Sequence, residues 1–86
     1  MDEPVEIIQE LAYYIKNQIL QQPWKSIQAE EPLISSGILD SFHLVDLALY
    51  IEDRYGVRIE DTELNRQTFD NLIQLTQLIQ SKIANK

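Results

Sequence analysis

The stretch DSFHLVDLALYIEDRYG, residues 40–56, contains the signals that start and end a helix. Asp40 is a residue type that caps helix N-termini, and Gly56 is the type that commonly follows a helix C-terminus. An α-helix has about 3.6 residues per turn, so residues three or four positions apart lie on one side of it. Between Asp40 and Gly56, the apolar residues with this spacing, which form one stripe, are Leu44, Leu47, Ala48, Ile51 and Tyr55. We therefore predict an amphipathic helix from about Ser41 to Tyr55, with this stripe facing a hydrophobic core.

The opposite side of the same helix combines apolar and acidic residues. Its members are Phe42, Val45, Asp46, Leu49, Glu52 and Asp53. A helix that is apolar all round is normally buried all round, but a chain of 86 residues can hardly bury one that also carries three carboxylates. Either the preceding loop covers Phe42 or Leu49, or the side is an exposed apolar patch ringed by acids. The helical geometry favours the exposed patch, which is typical of protein interaction surfaces.

An N-terminal helix and a long connection precede this stretch. Pro4 suits the first position of a helix, and apolar residues recur at helical spacing through VEIIQELAYYIKNQIL, residues 5–20. Pro23 ends that helix, because a proline disfavours helical geometry in the residue before it. The connection that follows, residues 23–40, has apolar residues that predict packing on the rest of the protein: Trp24, Ile27, Leu33, Ile34 and Ile38.

Two further segments follow the central helix. Residues 57–69 have room for one or two helical turns around Leu64, and residues 71–84 form a last amphipathic helix that Asp70 is predicted to cap. The apolar side of that helix consists of Leu72, Leu75, Leu78, Ile79 and Ile83. The predicted fold is therefore a small all-α four-helix bundle, with three main helices, one short helix and a long first loop, in a single domain of residues 1–86.

Composition and charge exclude several classes of protein. The formal net charge of −7 would repel a phosphate backbone, so nucleic-acid binding is not predicted. The chain has no cysteine and therefore neither a disulfide nor a thiolate metal site. No window approaches the roughly 20 apolar residues of a membrane span, and residues 1–8 lack the features of a secretory signal. A cytoplasmic location is expected, and the high like charge together with the absence of heptads favours a monomer.

Ser41 lies at the start of the predicted helix, where three roles are open to it. A serine there can cap the helix, act as a nucleophile, or carry a group attached after translation. His43 is the only histidine, and two residues correspond to about 200° around a helix, so it is predicted to be a surface residue and not a catalytic base for Ser41. The acids of residues 60–70 lack the glycine and ligand order of a calcium loop. Neither an enzyme nor a metal site is predicted.

The stretch GILDSFHLVDLALYIEDRYGVRI, residues 37–59, together with the helices on either side, resembles the acyl carrier protein family. That family includes aminoacyl, D-alanyl and peptidyl carriers. In it, the serine that follows the aspartate carries a 4′-phosphopantetheine arm taken from coenzyme A, and the arm's thiol holds acyl or aminoacyl groups as thioesters. The resemblance places the arm on Ser41 and implies that Asp40 takes part in recognition by the transferase.

The resemblance also implies a set of partners. Carrier helices of this kind dock enzymes through mixed acidic and apolar residues, a role that falls here on Phe42, Val45, Asp46, Leu49, Glu52 and Asp53. The implied partners are a phosphopantetheinyl transferase, an acyl- or amino-acid-activating ligase, and downstream synthase or transferase enzymes with basic docking surfaces.

Two departures from the usual motif of fatty-acid carriers narrow the expected function. That motif has glycine three residues before the serine and leucine after it, whereas Gly37 lies four residues before Ser41 and Phe42 follows it. The form GILDS is more similar to discrete carriers of specialised pathways, namely polyketide, nonribosomal peptide or D-alanyl pathways, than to those of housekeeping fatty-acid synthesis. The alternative that stays open is a non-covalent helical adaptor, which would use the acidic and apolar side of the helix without needing Ser41.

Overall fold

The computed structural model describes residues 3–85 as an all-α protein. The described residues contain three α-helices and one 3-10 turn, in the order α1 (Pro4–Tyr14), α2 (Ser41–Tyr55), the 3-10 turn (Asp61–Glu63) and α3 (Leu72–Ala84). The predicted all-α class and the order of its helices are confirmed. The short fourth helix is a single turn that ends just before Leu64, and the outer limits of the predicted domain lie outside the described residues.

The first helix changes its geometry before it ends. After Tyr14 the chain continues as a π-helix, Ile15–Ile19, so the segment predicted to be helical is helical with a last turn of a different type. Gln21 then adopts a left-handed conformation with φ of 55°, which turns the chain away from the helix axis. In the folded protein α3 packs against α1, and α2 packs against the π-helical turn.

The hydrophobic core combines one stripe from each helix with residues of the connections. The predicted stripe of α2 is confirmed, since Leu44, Leu47, Ile51 and Tyr55 are buried and Ala48 packs partly against them. The buried residues that come from outside the three α-helices are Ile15, Leu33, Leu39, Val57, Ile59 and Phe69. The connections are therefore integral parts of the core.

The long first connection packs on the helices through most of its predicted apolar residues. Leu33 is completely buried, and the half-buried residues that pack against the core are Ile27, Ile34 and Ile38. Trp24 is a correction to the prediction, because its side chain is 78% exposed. It lies in an exposed segment, residues 21–24, which begins at the left-handed Gln21.

The cap of α3 also differs from the prediction. Asn71 caps the helix, and its side-chain oxygen accepts a hydrogen bond from the Gln74 backbone N–H at 2.8 Å. The prediction of Asp70 as the cap was wrong. The Asp70 carboxylate instead accepts hydrogen bonds from a distant segment of the chain. Residue type alone could not distinguish the two positions, because aspartate and asparagine are equally good caps.

Replacing Asn71 by alanine is expected to lower the free energy of unfolding by about 1 kcal/mol, since the Gln74 N–H loses its acceptor. Urea denaturation followed by circular dichroism measures this change. Asn71→Asp is the matched control, because it keeps the acceptor and adds a negative charge at the helix N-terminus, so its stability should not fall. Equal stability of Asn71→Ala and the wild type would contradict this assignment of the cap.

Candidate functional site

Ser41 is the first residue of α2, and its side chain is exposed. The predicted cap of this helix is confirmed, because the Asp40 carboxylate accepts a hydrogen bond from the His43 backbone N–H at 2.8 Å. Among residues 3–85 no hydrogen bond involves the Ser41 hydroxyl, so Ser41 takes no part in capping the helix. The hydroxyl of Ser41 is therefore accessible to another protein that could modify it.

His43 completes the cap from the other direction. Its Nδ1 accepts a hydrogen bond from the Asp40 backbone N–H at 3.3 Å, which forms a reciprocal capping box. The side chain is 31% exposed, so the prediction of a solvated surface residue is corrected to a half-buried one. A histidine whose Nδ1 accepts this bond stabilises the helix start, and it makes no hydrogen bond to Ser41.

Two backbone donors lie beside the Ser41 hydroxyl. In the described part of the chain, the N–H groups of Ser41 and Phe42 have no acceptor, whereas the next two N–H groups bond to Asp40. Free N–H groups and the positive end of the helix dipole favour a negatively charged group at this position. The arrangement is thus chemically suited to a phosphate ester on the Ser41 hydroxyl.

Asp70 joins the start of α3 to the connection that leads to Ser41. One carboxylate oxygen accepts the backbone N–H groups of Ile34 at 2.8 Å and Ser35 at 2.9 Å, and the other accepts the Ser35 hydroxyl at 2.5 Å. The Ser35 hydroxyl bond, followed by the backbone N–H bonds, holds the pKa of Asp70 below its ordinary value. Sequence reasoning missed this contact, because the partners are more than 30 residues apart and have no local pattern.

We call the hydrogen bonds between Asp70 and residues 33–35 the Asp70 anchor. Hydrogen bonds within residues 33–39 fold the segment that follows it into a turn. The Leu39 N–H donates to the Leu33 carbonyl at 2.9 Å, and the Gly37 N–H donates to the Ile34 carbonyl at 3.1 Å. Gly37 has a φ of 84°, a left-handed conformation that favours glycine over other residues. The chain therefore reaches Asp40 from a compact turn whose two ends, Leu33 and Leu39, are buried.

The outward side of α2 is exposed to solvent. We call it the α2 outer face, and it consists of Phe42, Val45, Asp46, Leu49, Glu52 and Asp53, all of which are exposed. The side chain of Phe42 is 81% exposed and that of Leu49 is 60% exposed, so the first connection covers neither of them. Of the two arrangements that the sequence allowed, the exposed apolar patch is the one the structure has.

The opposite side of α2 contacts α1 through hydrogen bonds, an ion pair and stacked rings. The Tyr55 hydroxyl donates to Glu10 at 2.5 Å, and the Arg54 guanidinium bonds to the same carboxylate at 2.8 Å. These contacts, with the Tyr55 hydroxyl bond as the largest cause, lower the pKa of Glu10. The rings of Tyr14 and Tyr50 stack with their centroids 3.8 Å apart. Because Arg54 is the only Lys or Arg in α2, this pairing leaves the α2 outer face acidic.

Two other kinds of feature are absent from the described range, residues 3–85. No group of three or more histidine, cysteine, aspartate or glutamate side chains is placed to hold a metal ion. In that same range, no helix combines the length and the apolar character needed to cross a membrane.

Comparison with known proteins identifies the class. The family model described as "Phosphopantetheine attachment site" matches residues 17–79, well over half of the chain and all of α2. No curated protein and no solved structure matches the chain. Carrier domains of this kind bear 4′-phosphopantetheine as a prosthetic group, are modified by phosphopantetheinyl transferases, and are not themselves catalysts. The resemblance seen in the sequence is confirmed, and the chain belongs to the phosphopantetheine attachment-site family of carrier proteins.

Proposed function

We propose that Ser41 carries the 4′-phosphopantetheine arm and that the protein is a discrete carrier of acyl or aminoacyl groups. The observation that carries this proposal is the exposed hydroxyl of Ser41, the first residue of α2 within the matched region. This hydroxyl makes no hydrogen bond to any of the described residues. The arm supplies a terminal thiol that holds the cargo as a thioester. The protein's own contribution is to present the attachment residue and to bring the cargo to partner enzymes.

The residues around Ser41 fit the proposed group. The free N–H groups of Ser41 and Phe42 can donate to phosphate oxygens, and the helix dipole favours the negative charge. The Asp40 carboxylate is half-exposed, and its cap fixes the first turn of the helix from which the arm would leave. We assign Asp40 to recognition by the transferase as well, since it is the acidic group next to the attachment residue.

Partner enzymes are proposed to dock on the α2 outer face. Its apolar side chains, above all Phe42, can insert into a partner surface, and its acids can attract basic residues. No lysine or arginine lies between Lys25 and Arg54, so this part of the chain has a single sign of charge. The proposed partners are a phosphopantetheinyl transferase, a ligase that activates an acyl or amino acid, and downstream synthases or transferases with basic docking surfaces.

A specialised pathway, of the polyketide, nonribosomal peptide or D-alanyl type, is proposed in preference to housekeeping fatty-acid synthesis. Relative to the fatty-acid motif, one extra residue separates Gly37 from Ser41. Leu39, the residue immediately before Asp40, is buried in the core, so the longer spacing is an ordered feature of the turn. Phe42 then presents an aromatic ring beside the attachment residue, where a fatty-acid carrier usually has leucine.

Thiol titration tests the proposed attachment, because the chain has no cysteine and any thiol must come from the arm. The protein is incubated with coenzyme A, Mg²⁺ and a broad-specificity transferase, desalted, and treated with a chromogenic thiol reagent. We expect one thiol per chain for the wild type and none for Ser41→Ala.

Ser26→Ala is the matched control, since Ser26 is also an exposed serine but lies in the first connection, outside α2. It should acquire the thiol as the wild type does. A thiol on Ser41→Ala would show that another residue carries the arm and would refute the assignment of Ser41.

A further inference from the structure

We propose that Asp70 is a positioning residue for the modification of Ser41, and that it acts by holding residues 33–39 in the conformation that the transferase binds. This inference rests on the proposed function, because it takes Ser41 as the attachment residue. It concerns how the protein presents that residue, and it assigns a role to a side chain that lies outside α2 and outside the first connection.

The anchor at Asp70 holds three consecutive residues. Besides the carboxylate bonds to Ile34 and Ser35, the Asp70 carbonyl accepts the Leu33 N–H at 2.6 Å. The start of α3 is joined to the same connection a second time, since the Ala29 carbonyl accepts the Leu72 N–H at 3.1 Å. Both oxygens of the Asp70 carboxylate are engaged in this way, so its effect on a partner is transmitted through the anchored segment.

A short and closed path leads from the anchor to Ser41. The Leu39 N–H bonds back to the carbonyl of Leu33, and both side chains are buried. Asp40 follows Leu39 directly and caps α2. Because the Ser41 side chain has no hydrogen bond within residues 3–85, the position of the chain on its N-terminal side depends on this turn.

Release of the anchor should weaken recognition and leave the chemical step unchanged. Without the Asp70 carboxylate, the N–H groups of Ile34 and Ser35 lose their acceptor and the turn samples other conformations. If the competent conformation is populated about a tenth of the time, the apparent affinity falls about tenfold. The change appears in KM for the carrier and not in kcat, since the competent conformer reacts as before.

Steady-state kinetics of arm transfer tests this inference, with the carrier concentration varied at saturating coenzyme A and Mg²⁺. We expect Asp70→Ala, which removes both acceptor oxygens, to raise KM about tenfold with kcat within about twofold of the wild type. Asn71→Ala is the matched control. It weakens the same end of α3, but the Asn71 side chain bonds to Gln74 and not to residues 33–39, so its KM should equal that of the wild type.

Ser35→Ala provides a second variant that keeps the inference testable if Asp70→Ala does not fold. It removes only the hydroxyl bond and keeps both backbone donors, so KM should rise about two- to threefold, in proportion to a smaller loss of the competent conformer. A spectroscopic readout accompanies Asp70→Ala, because the amide resonances of Ile34 and Ser35 should shift when their acceptor is removed.

Three results overturn the inference. One is a wild-type KM in folded Asp70→Ala, and another is a wild-type KM in Ser35→Ala when Asp70→Ala is unfolded. The third is an equal rise of KM in Asn71→Ala, which would reduce the effect to general destabilisation. All three leave the assignment of Ser41 intact, whereas a wild-type protein that no transferase modifies would refute the proposed function and this inference with it.

Discussion

Replacing Asp46 and Glu52 together by lysine is expected to slow capture of the protein by its transferase about ten- to a hundredfold at low ionic strength. Both side chains are exposed on the α2 outer face, where they flank Val45 and Leu49. The two substitutions reverse the sign of charge beside the apolar residues that would enter the partner. Long-range attraction then becomes repulsion, and the encounter rate falls.

The value of kcat/KM for arm transfer, measured at several salt concentrations, reports this change. The difference between variant and wild type should narrow as salt rises, because the Debye length falls to about 10 Å at 0.1 M. If the difference in kcat/KM between variant and wild type did not depend on salt, its cause would be lost packing against the transferase and not lost electrostatic attraction.

The control for net charge uses acids away from the α2 outer face. Glu3 and Glu6 are exposed at the start of α1, and their replacement by lysine changes the total charge by the same amount. This variant should retain most of the wild-type rate. An equal slowing in both double variants would show that total charge governs capture, and it would contradict docking through α2.

Replacing Leu33 by alanine is expected to lower the free energy of unfolding by about 2–5 kcal/mol. Leu33 lies in the first connection, yet it is completely buried, and its backbone bonds to both Asp70 and Leu39. Removing its side chain leaves a cavity among the core residues. Because a domain of this size has a small stability margin, the variant is measured at low temperature if it is partly unfolded at 25 °C.

Trp24→Ala tests whether an exposed residue of the first connection contributes less to stability than the buried Leu33. Trp24 has a much larger side chain than Leu33, but it is 78% exposed, so its loss should change stability by no more than about 0.5 kcal/mol. Urea denaturation followed by circular dichroism compares the two variants without relying on the single tryptophan. A larger loss for Trp24→Ala than for Leu33→Ala would contradict the packing described for the connection.

Local signals in the sequence predicted α2 and its two faces closely. Asp40 caps the helix, Gly56 ends it, and Ser41 is its first residue, as expected. These features depend on neighbours within one or two turns, so residue type and helical periodicity are sufficient to predict them. The exposure of Phe42 followed from the same periodicity, because one helix in a small protein cannot bury all its sides.

The features that the sequence did not predict depend on distant contacts. Asp70 and Asn71 are both good caps, and the donors of Ile34 and Ser35 decide between them from across the fold. The sequence also did not predict the π-helical turn that follows α1, because the apolar residues of this turn keep a spacing compatible with an α-helix. The anchor that we infer to present Ser41 therefore became visible only in the folded structure.

Intact-protein mass spectrometry after incubation with coenzyme A, Mg²⁺ and each of two unrelated phosphopantetheinyl transferases tests the central claim most directly. Wild-type protein and Ser41→Ala are compared in the same reaction. The proposed function predicts that the wild type gains the mass of one phosphopantetheine and that Ser41→Ala gains nothing. No gain by the wild type with either transferase would contradict the carrier role and favour the non-covalent adaptor, with Phe42 as the first residue to test.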